Sequence, residues 1–175
     1  MRKKGYLIAA ILFQCAIIAA VPVPKLFTRL TGQTIAIKTA PVDPYDFLSG
    51  YHVILSFEIS QLADLISPEQ RMYYNQNQIL YNVLTKDENS TWNSQSVHES
   101  FPKDIPEGAI VIKGKWKHSR IEYGIEKFFI PEEKRQDIEG DLRQNQRQAL
   151  ADIRVDRFGN AALVRLQVDD RVYEY

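Results

Sequence analysis

Near its N-terminus the chain carries an uncharged segment of 20 residues, from Gly5 to Pro24. A helix rises about 1.5 Å per residue, so this length spans roughly 30 Å, the thickness of the hydrocarbon core of a bilayer. Between Tyr6 and Val21 the apolar run is interrupted only by Gln14. The segment has no polar face, which argues against a helix in the core of a soluble domain. It predicts a transmembrane helix over residues 5–24.

The formal net charge of zero is an average over two unlike parts of the chain. Residues 1–30 hold five basic and no acidic side chains, so the totals of 22 basic and 22 acidic groups leave residues 31–175 with 17 basic and 22 acidic groups. The run Arg2–Lys4 favours a cytoplasmic N-terminus, although later basic residues reduce the asymmetry. We predict a single-pass protein of the cytoplasmic (inner) membrane, with residues 1–30 as a basic-flanked anchor and residues 31–175 as an extracytoplasmic, periplasmic domain.

A cleaved signal peptide is the main alternative to an uncleaved signal-anchor helix. The run Arg2–Lys4 would be its n-region, and cleavage would follow Ala20. The bulky Ile18 stands where such a site needs a small residue. A lipoprotein site at Cys15 is disfavoured in the same way, because Phe13 and Gln14 replace small residues. The pattern favours the anchor and leaves cleavage open.

Charge and residue usage exclude several functional classes. A net charge of zero lacks the basic excess that is typical of nucleic-acid binders. The single cysteine, Cys15, excludes an internal disulfide framework and a thiolate zinc site. The three histidines, His52, His98 and His118, are too far apart to show metal-ligand spacing. We therefore predict no metal, no cofactor and no nucleic-acid partner.

Residues 31–175 favour a mainly β fold, an antiparallel sandwich or small barrel with one or two short helices. In Tyr51–Ile59 the odd-numbered residues are expected to face a core. Gly114 indicates a bulge or a close approach. Pro131 and the acids after it favour a helix to about Gln144. The predicted strands are Gln33–Thr39, Tyr51–Ile59, Gln78–Thr85, Thr91–Val97, Ala109–Trp116, Ile121–Ile130, Ala149–Asp156 and Ala161–Val168.

Three blocks of sequence carry a resemblance to a known family. They are residues 41–59, with Gly-Tyr-His-Val-Ile-Leu-Ser-Phe from Gly50, residues 123–132, with Tyr-Gly-Ile-Glu-Lys-Phe-Phe-Ile-Pro-Glu, and residues 153–163. In order and spacing they resemble the bacterial GDYXXLXY family over about residues 33–168. The resemblance implies an N-terminal membrane helix and an occurrence beside polytopic membrane proteins. It implies no reaction.

The name-giving motif of that family is degraded in this chain. Gly50 and Leu55 match it, but Tyr51 stands at the family's Asp position, His52 at its first Tyr and Phe57 at its last. Loss of the acid argues against catalysis by the motif, and Phe in place of Tyr suits packing. We predict no catalytic residue and a structural role for the family-motif positions, which are Asp43, Pro44, Gly50, Leu55, Phe57, Tyr123, Gly124, Glu126 and Pro131.

Paired catalytic groups are not evident in the rest of the chain. On a continuous strand Glu122 and Glu126 would lie roughly 13 Å apart, which is too far for a glycosidase pair unless the strand bends sharply. We expect solvated or salt-bridged acids. His52 and Ser56 are separated in the same way, beyond the reach of a nucleophile and its base.

Location and architecture together predict an accessory or interaction subunit for an integral-membrane partner, anchored in the bilayer through residues 5–24. The alternatives are a hydrolase-like enzyme of the envelope and a binder of a lipid or small ligand. The basic cluster Lys115, Lys117 and Arg120 could touch lipid head groups. The aromatic groups, Met72–Tyr74 with Tyr81 and Trp116 with Phe128-Phe129, are expected to pack rather than to line a pocket or a partner interface.

Overall fold

The computed structural model is rich in antiparallel strands, which account for 44% of the described residues. The fold is β-rich with a few short helices, as the residue pattern predicts, and it contains a half-barrel sheet. The helices are α1 (Arg2–Ala20), α2 (Val23–Thr31) and α3 (Pro68–Tyr73). The described residues are 2–40, 48–49, 52–61, 65–88, 90–129 and 149–174.

Twelve strands run through the described residues, four more than the eight predicted. Two predicted strands are each interrupted, and the short strands β2 and β12 leave no clear pattern in the sequence. The strands are β1 (Gln33–Ala40), β2 (Leu48–Ser49), β3 (His52–Ile54), β4 (Ser56–Phe57), β5 (Ile79–Lys86), β6 (Trp92–His98), β7 (Ile110–Lys117), β8 (Arg120–Glu122), β9 (Lys127–Phe129), β10 (Leu150–Val155), β11 (Ala161–Val168) and β12 (Arg171–Glu174).

The strands form three antiparallel sheets around one core. The orders are β12-β11-β10-β1-β4, β6-β5-β7-β8 and β2-β3-β9. Ile37, Leu80 and Phe128 come from the three different sheets, and each is at most 1% exposed within the same hydrophobic cluster. The hairpins β5–β6 and β10–β11 and the first strand confirm the corresponding predictions.

The predicted strand Tyr51–Ile59 is interrupted after Ile54. Strand β3 pairs with β9, whereas β4 pairs with β1 in another sheet, so the chain crosses between sheets at Leu55. The Leu55 N–H donates to the Glu126 carbonyl (2.7 Å), and a 3-10 turn follows over Glu58–Ser60. The described odd-numbered side chains are buried as predicted, but Ser56, expected on the outer face, is buried too.

The predicted strand Ile121–Ile130 is also wrong as a continuous element. It divides into β8 and β9, and between them Gly124 adopts a φ of +75°, where the backbone turns sharply. The close approach predicted at Gly114 is confirmed, since a Cβ there would lie 2.2 Å from Cγ2 of Ile121. The interruption removes the basis for a 13 Å separation of Glu122 and Glu126.

The aromatic side chains divide between packing and exposure. Trp116 is buried and meets Tyr74 edge to face with ring centroids 5.4 Å apart, which confirms packing there. Tyr81 packs similarly on Phe101. Packing is the wrong expectation for Met72 and Tyr73 of α3, which are 84% and 82% exposed.

The apolar N-terminal segment is helical and ends in a bend. Helix α1 contacts α2 across the short turn at Val21 and Pro22. Among the described residues, no single helix has both the length and the hydropathy of a membrane span. Taken together, the helical segments Ala10–Ala20 and Val23–Thr31, which meet at a 40° bend, have the length and the hydropathy of a membrane span.

Candidate functional site

Helix α2 is amphipathic, but its polar face is the one that meets the β domain. It packs against β10 and β11, and Thr28 on this inner face is only 1% exposed. The opposite face is apolar and exposed over two turns, because side chains three and four residues apart lie on one side of a helix. We call these four exposed residues the outer stripe: Val23, Leu26, Phe27 and Leu30. A helix of a self-contained domain would turn such a stripe inward.

Asp156 fastens the inner face of α2 to the turn between β10 and β11. Its Oδ2 accepts hydrogen bonds from Thr28 Oγ1 (2.7 Å) and Asn160 Nδ2 (3.0 Å). Its Oδ1 accepts from the N–H groups of Phe158 (2.9 Å) and Asn160 (3.0 Å). Burial would raise the pKa of Asp156, but these hydrogen bonds outweigh it and lower the pKa below its usual value. The ionised carboxylate therefore holds the turn and the helix together.

Lys25 forms the second connection between α2 and the domain. Its Nζ donates to the Gly124 carbonyl (2.8 Å) and reaches the Ala161 carbonyl at 3.5 Å. Burial lowers the pKa of Lys25, while the negative charge of Glu126 acts in the opposite direction. We call the contacts of Lys25 and Thr28 with the domain the joint.

Glu126 closes the turn that receives Lys25. Its Oε1 accepts a hydrogen bond from the Tyr123 N–H at 2.5 Å, across Gly124 at positive φ. Burial raises the pKa of Glu126 despite this hydrogen bond, and the nearby charge of Glu122 raises it further. The carboxylate thus shapes the turn while it is partly removed from water.

We expect Glu126→Gln to gain stability relative to the native chain as the pH rises. The raised pKa means that ionisation of Glu126 is less favourable in the folded state, so the penalty is absent below the unfolded pKa of about 4.3 and grows above it. Gln keeps an oxygen for the Tyr123 N–H and carries no charge. Thermal unfolding between pH 4 and 8 measures the difference, with the exposed Glu107→Gln as control. A difference independent of pH contradicts the assignment.

Tyr123 connects this turn to the core through a buried polar network. Its hydroxyl donates to the Ile59 carbonyl (2.6 Å) and accepts from Asn82 Nδ2 (2.8 Å). Asn82 is fully buried and also donates to Ser94 Oγ (2.7 Å). Burial raises the pKa of Tyr123, so the hydroxyl stays neutral. These contacts orient the ring and the turn.

Lys25 of α2 borders two of the cavities formed by the described residues. The smaller, of about 450 Å³, is bordered by the strand β7 and its alternate residues Lys113, Lys115 and Lys117. The larger, of about 760 Å³, lies between α2 and the turn from β8 to β9, and Arg120 lines it. The basic cluster predicted from the sequence is therefore divided between the two cavities.

The comparisons with known proteins place the chain in a family. A family model described as GDYXXLXY protein matches residues 14–166. The chain belongs to the GDYXXLXY family. Comparisons with curated proteins and with solved structures gave no match. The matched region begins within α1 and includes α2, the turn of Tyr123 and the turn of Asp156.

The motif positions of this GDYXXLXY protein fall into three groups. Leu55 and Phe57 are buried in the core, at 3% and 0% exposure. Tyr123, Gly124 and Glu126 form the turn that receives Lys25. The remaining positions lie outside the described residues: Asp43, Pro44, Gly50 and Pro131. The helix predicted from Pro131 to about Gln144 also lies outside them.

The residue pattern did not single out the side chains of the joint. In the sequence Lys25 is one of the basic residues that follow the apolar segment, and Thr28 carries no signal of burial. The one available signal was the turn from Asp156 to Asn160, in which an acid precedes a glycine and an asparagine. Such a carboxylate commonly accepts hydrogen bonds from the backbone two residues on.

Glu122 and the histidines His98 and His118 contact neighbouring side chains. Glu122 pairs with Lys117 Nζ (3.0 Å) and Arg120 (3.7 Å), which confirms the salt-bridged state expected for it. His118 is exposed and lies 4.0 Å from Glu122, and His98 contacts Ser96 at 2.9 Å. Among the described residues, no group of three His, Cys, Asp or Glu side chains could hold a metal ion.

Proposed function

We propose that this GDYXXLXY protein is anchored in the cytoplasmic membrane through residues 5–24 and is an accessory subunit of an integral-membrane partner. Its N-terminus lies in the cytoplasm and its β domain, an antiparallel sandwich or small barrel, lies outside. The observation that carries the proposal is the reversed polarity of α2, whose outer stripe is exposed while Thr28 is buried against Asp156.

The outer stripe supports a position of α2 at the membrane surface. Complete burial of a side chain such as Leu or Phe contributes about 1.5–3 kcal/mol, so exposure of four such residues to water is unfavourable. The stripe follows α1 after a two-residue turn, and α1 itself exposes Ile8, Leu12 and Phe13 by more than half. Lipid covering both helices would remove this apolar surface from water in one step.

The joint supports a role that depends on position. Only Val21 and Pro22 separate α1 from α2, and the hydrogen bonds of Lys25 and Thr28 hold α2 against the domain. The domain is thereby held at a fixed height and orientation above the bilayer instead of moving on a flexible linker. Such restraint raises the effective concentration of the domain beside another membrane protein.

Helix α3 is the surface that we assign to the partner. A capping box fixes its start, since Ser67 Oγ accepts from the Gln70 N–H and the Gln70 side chain accepts from the Ser67 N–H. The helix presents Met72 and Tyr73 almost fully to solvent. Met and Tyr are enriched at protein interfaces, where they lose water on binding.

Two measurements on the tagged, full-length protein test this function. Two kinds of reporter are fused after Tyr175 in turn. One that is active only outside the cytoplasm should be active, and one that is active only in the cytoplasm should be inactive. Purification in mild detergent should recover one integral-membrane protein in stoichiometric amount. Met72→Ser with Tyr73→Ser should abolish its recovery, and Phe158→Ser, at an aromatic residue that is 51% exposed in the turn between β10 and β11 and keeps its N–H, should not. A reporter active only in the cytoplasm, or equal recovery by all three chains, contradicts the proposal.

A further inference from the structure

The larger cavity has walls of two chemical kinds. Leu26 of α2, Ile54 of β3 and Leu163 of β11 provide apolar surface. Basic side chains line the remainder together with two acids: Lys25, Arg29, Arg120, Lys127, Glu122 and Glu126. At about 760 Å³ the cavity lies within the range of roughly 300–1,000 Å³ that is usual for small-molecule sites.

The charge in this cavity favours an anion. Four basic groups face two acids, and both acids already have partners within the chain. Glu122 pairs with Lys117, which lies at the smaller cavity, and Glu126 accepts from the Tyr123 N–H. Lys25 already donates to two carbonyl oxygens and Arg120 contacts Glu122, so what the cavity offers a ligand is an excess of two positive charges over the negative ones, with the exposed Lys127 beside the apolar wall.

Arg120 gives a second, independent indication. Its Nε is buried and has no hydrogen-bond partner among the described residues, although its terminal nitrogen contacts Glu122. A buried donor without an acceptor is unfavourable, and an anionic oxygen in the cavity would satisfy it. Guanidinium groups bind phosphate oxygens well because their donors are fixed in one plane.

The place of the cavity indicates where such an anion comes from. Pro22, at the turn between α1 and α2, lies on its rim, and Leu26 belongs to both the cavity wall and the outer stripe. If residues 5–24 span the bilayer, the rim lies at the level of the lipid head groups. This step rests on the proposed membrane anchor.

We propose that the larger cavity binds an anionic phospholipid. The phosphate oxygens accept hydrogen bonds from Arg120 and Lys127, and the upper part of an acyl chain lies on Leu26, Ile54 and Leu163. The recognised chemistry is a phosphate group joined to an apolar chain. Free phosphate shares the first part of this chemistry and lacks the second.

The test measures binding to the full-length protein in a non-ionic detergent by calorimetric titration. The probes are dihexanoyl phosphatidylglycerol, dihexanoyl phosphatidylcholine and inorganic phosphate. We expect phosphatidylglycerol to bind at least about tenfold more tightly than the other two, a factor that corresponds to about 1.4 kcal/mol. Equal binding of the two lipids overturns the anionic selectivity. Equal binding of inorganic phosphate overturns the lipid and leaves a phosphate site.

Two variants locate the binding. Arg120→Gln and Lys127→Glu are each expected to weaken phosphatidylglycerol binding by about tenfold or more, as loss of one charge-assisted hydrogen bond does. Lys127 is exposed on β9, so its variant should fold even if that of Arg120 does not. Lys103→Gln, at an exposed residue that lines neither of the two cavities, is the control. Unchanged binding in Lys127→Glu overturns the site.

Membrane attachment is measured separately so that the two proposals can fail separately. Washing membranes with alkaline carbonate removes proteins that are not embedded. If the native chain stays in washed membranes but does not distinguish the two lipids, the lipid site is wrong and the anchor stands. If the chain is released, the anchor is wrong, whatever the titration shows.

Discussion

Replacing Asp156 with alanine is expected to detach α2 from the β domain and to lower the free energy of unfolding by about 3–5 kcal/mol. The side chain is 5% exposed and accepts hydrogen bonds from Thr28, from Asn160 and from the Phe158 N–H. Without it these donors lose an ionised acceptor inside the protein. Denaturant unfolding in detergent measures the loss, and faster trypsin cleavage after Lys25 reports the detachment.

Two further variants separate the turn from the helix. Thr28→Val removes one donor and is expected to lose about 1–3 kcal/mol, with the turn intact. Asp170→Ala, at an exposed acid near the far end of β11, should be close to neutral. If Asp156→Ala is no more harmful than Asp170→Ala, the joint does not hold the helix.

The lowered pKa of Asp156 predicts that the free energy of unfolding depends on pH in the acid range. Because the pKa of Asp156 is lower when folded than when unfolded, its stabilisation is complete above the unfolded pKa of about 3.9 and is lost as the pH falls through the folded value. The Asp156→Ala chain lacks this contribution. The difference in stability between the two chains should therefore shrink below about pH 4.

Replacing Tyr123 tests whether this family-motif position serves packing. Tyr123→Phe is expected to lose about 1–3 kcal/mol, because the Ile59 carbonyl loses its 2.6 Å hydrogen bond and Asn82 Nδ2 loses an acceptor inside the core. Tyr123→Ala, which also removes the ring, is expected to lose about 3–5 kcal/mol. Both are measured by chemical unfolding.

Tyr81 provides the matched control for Tyr123. It lies on β5, is partly exposed and packs on Phe101. Tyr81→Phe should change the free energy of unfolding by less than about 0.5 kcal/mol. Equal effects of the two Tyr→Phe variants would show that the buried network of Tyr123 does not stabilise the fold.

The sequence was most informative where one local signal dominated. Alternation and turn residues predict β5, β6, β10 and β11, since each strand pairs with a neighbour a few residues away. The periodic pattern also identifies the buried residues Val53, Leu55, Phe57 and Ile59, although it places the buried Ser56 on the outer face. It does not show that the chain changes sheets at Leu55, because that change depends on a hydrogen bond to the Glu126 carbonyl, far along the chain.

The joint could not be predicted because its partners are distant in sequence. Thr28 meets Asp156 across 128 residues, and Lys25 meets Gly124 across 99. The composition of α2 shows an apolar stripe, and a stripe of this kind ordinarily faces a core. Only the fold shows that the polar face is the buried one. The direction of α2, and with it the larger cavity, is therefore a result of tertiary structure.

The most direct test of the proposed membrane position is to measure whether the outer stripe of α2 is exposed to lipid. A spin label at Leu30→Cys, in a chain whose only cysteine is removed by Cys15→Ala, reports its surroundings in reconstituted vesicles. Leu30 is 70% exposed on the outer stripe, and a label at Asp170 provides a reference in water. We predict that the label at position 30 is relaxed by oxygen in lipid and protected from a water-soluble nickel complex. Equal access of the nickel complex to both labels would contradict the claim.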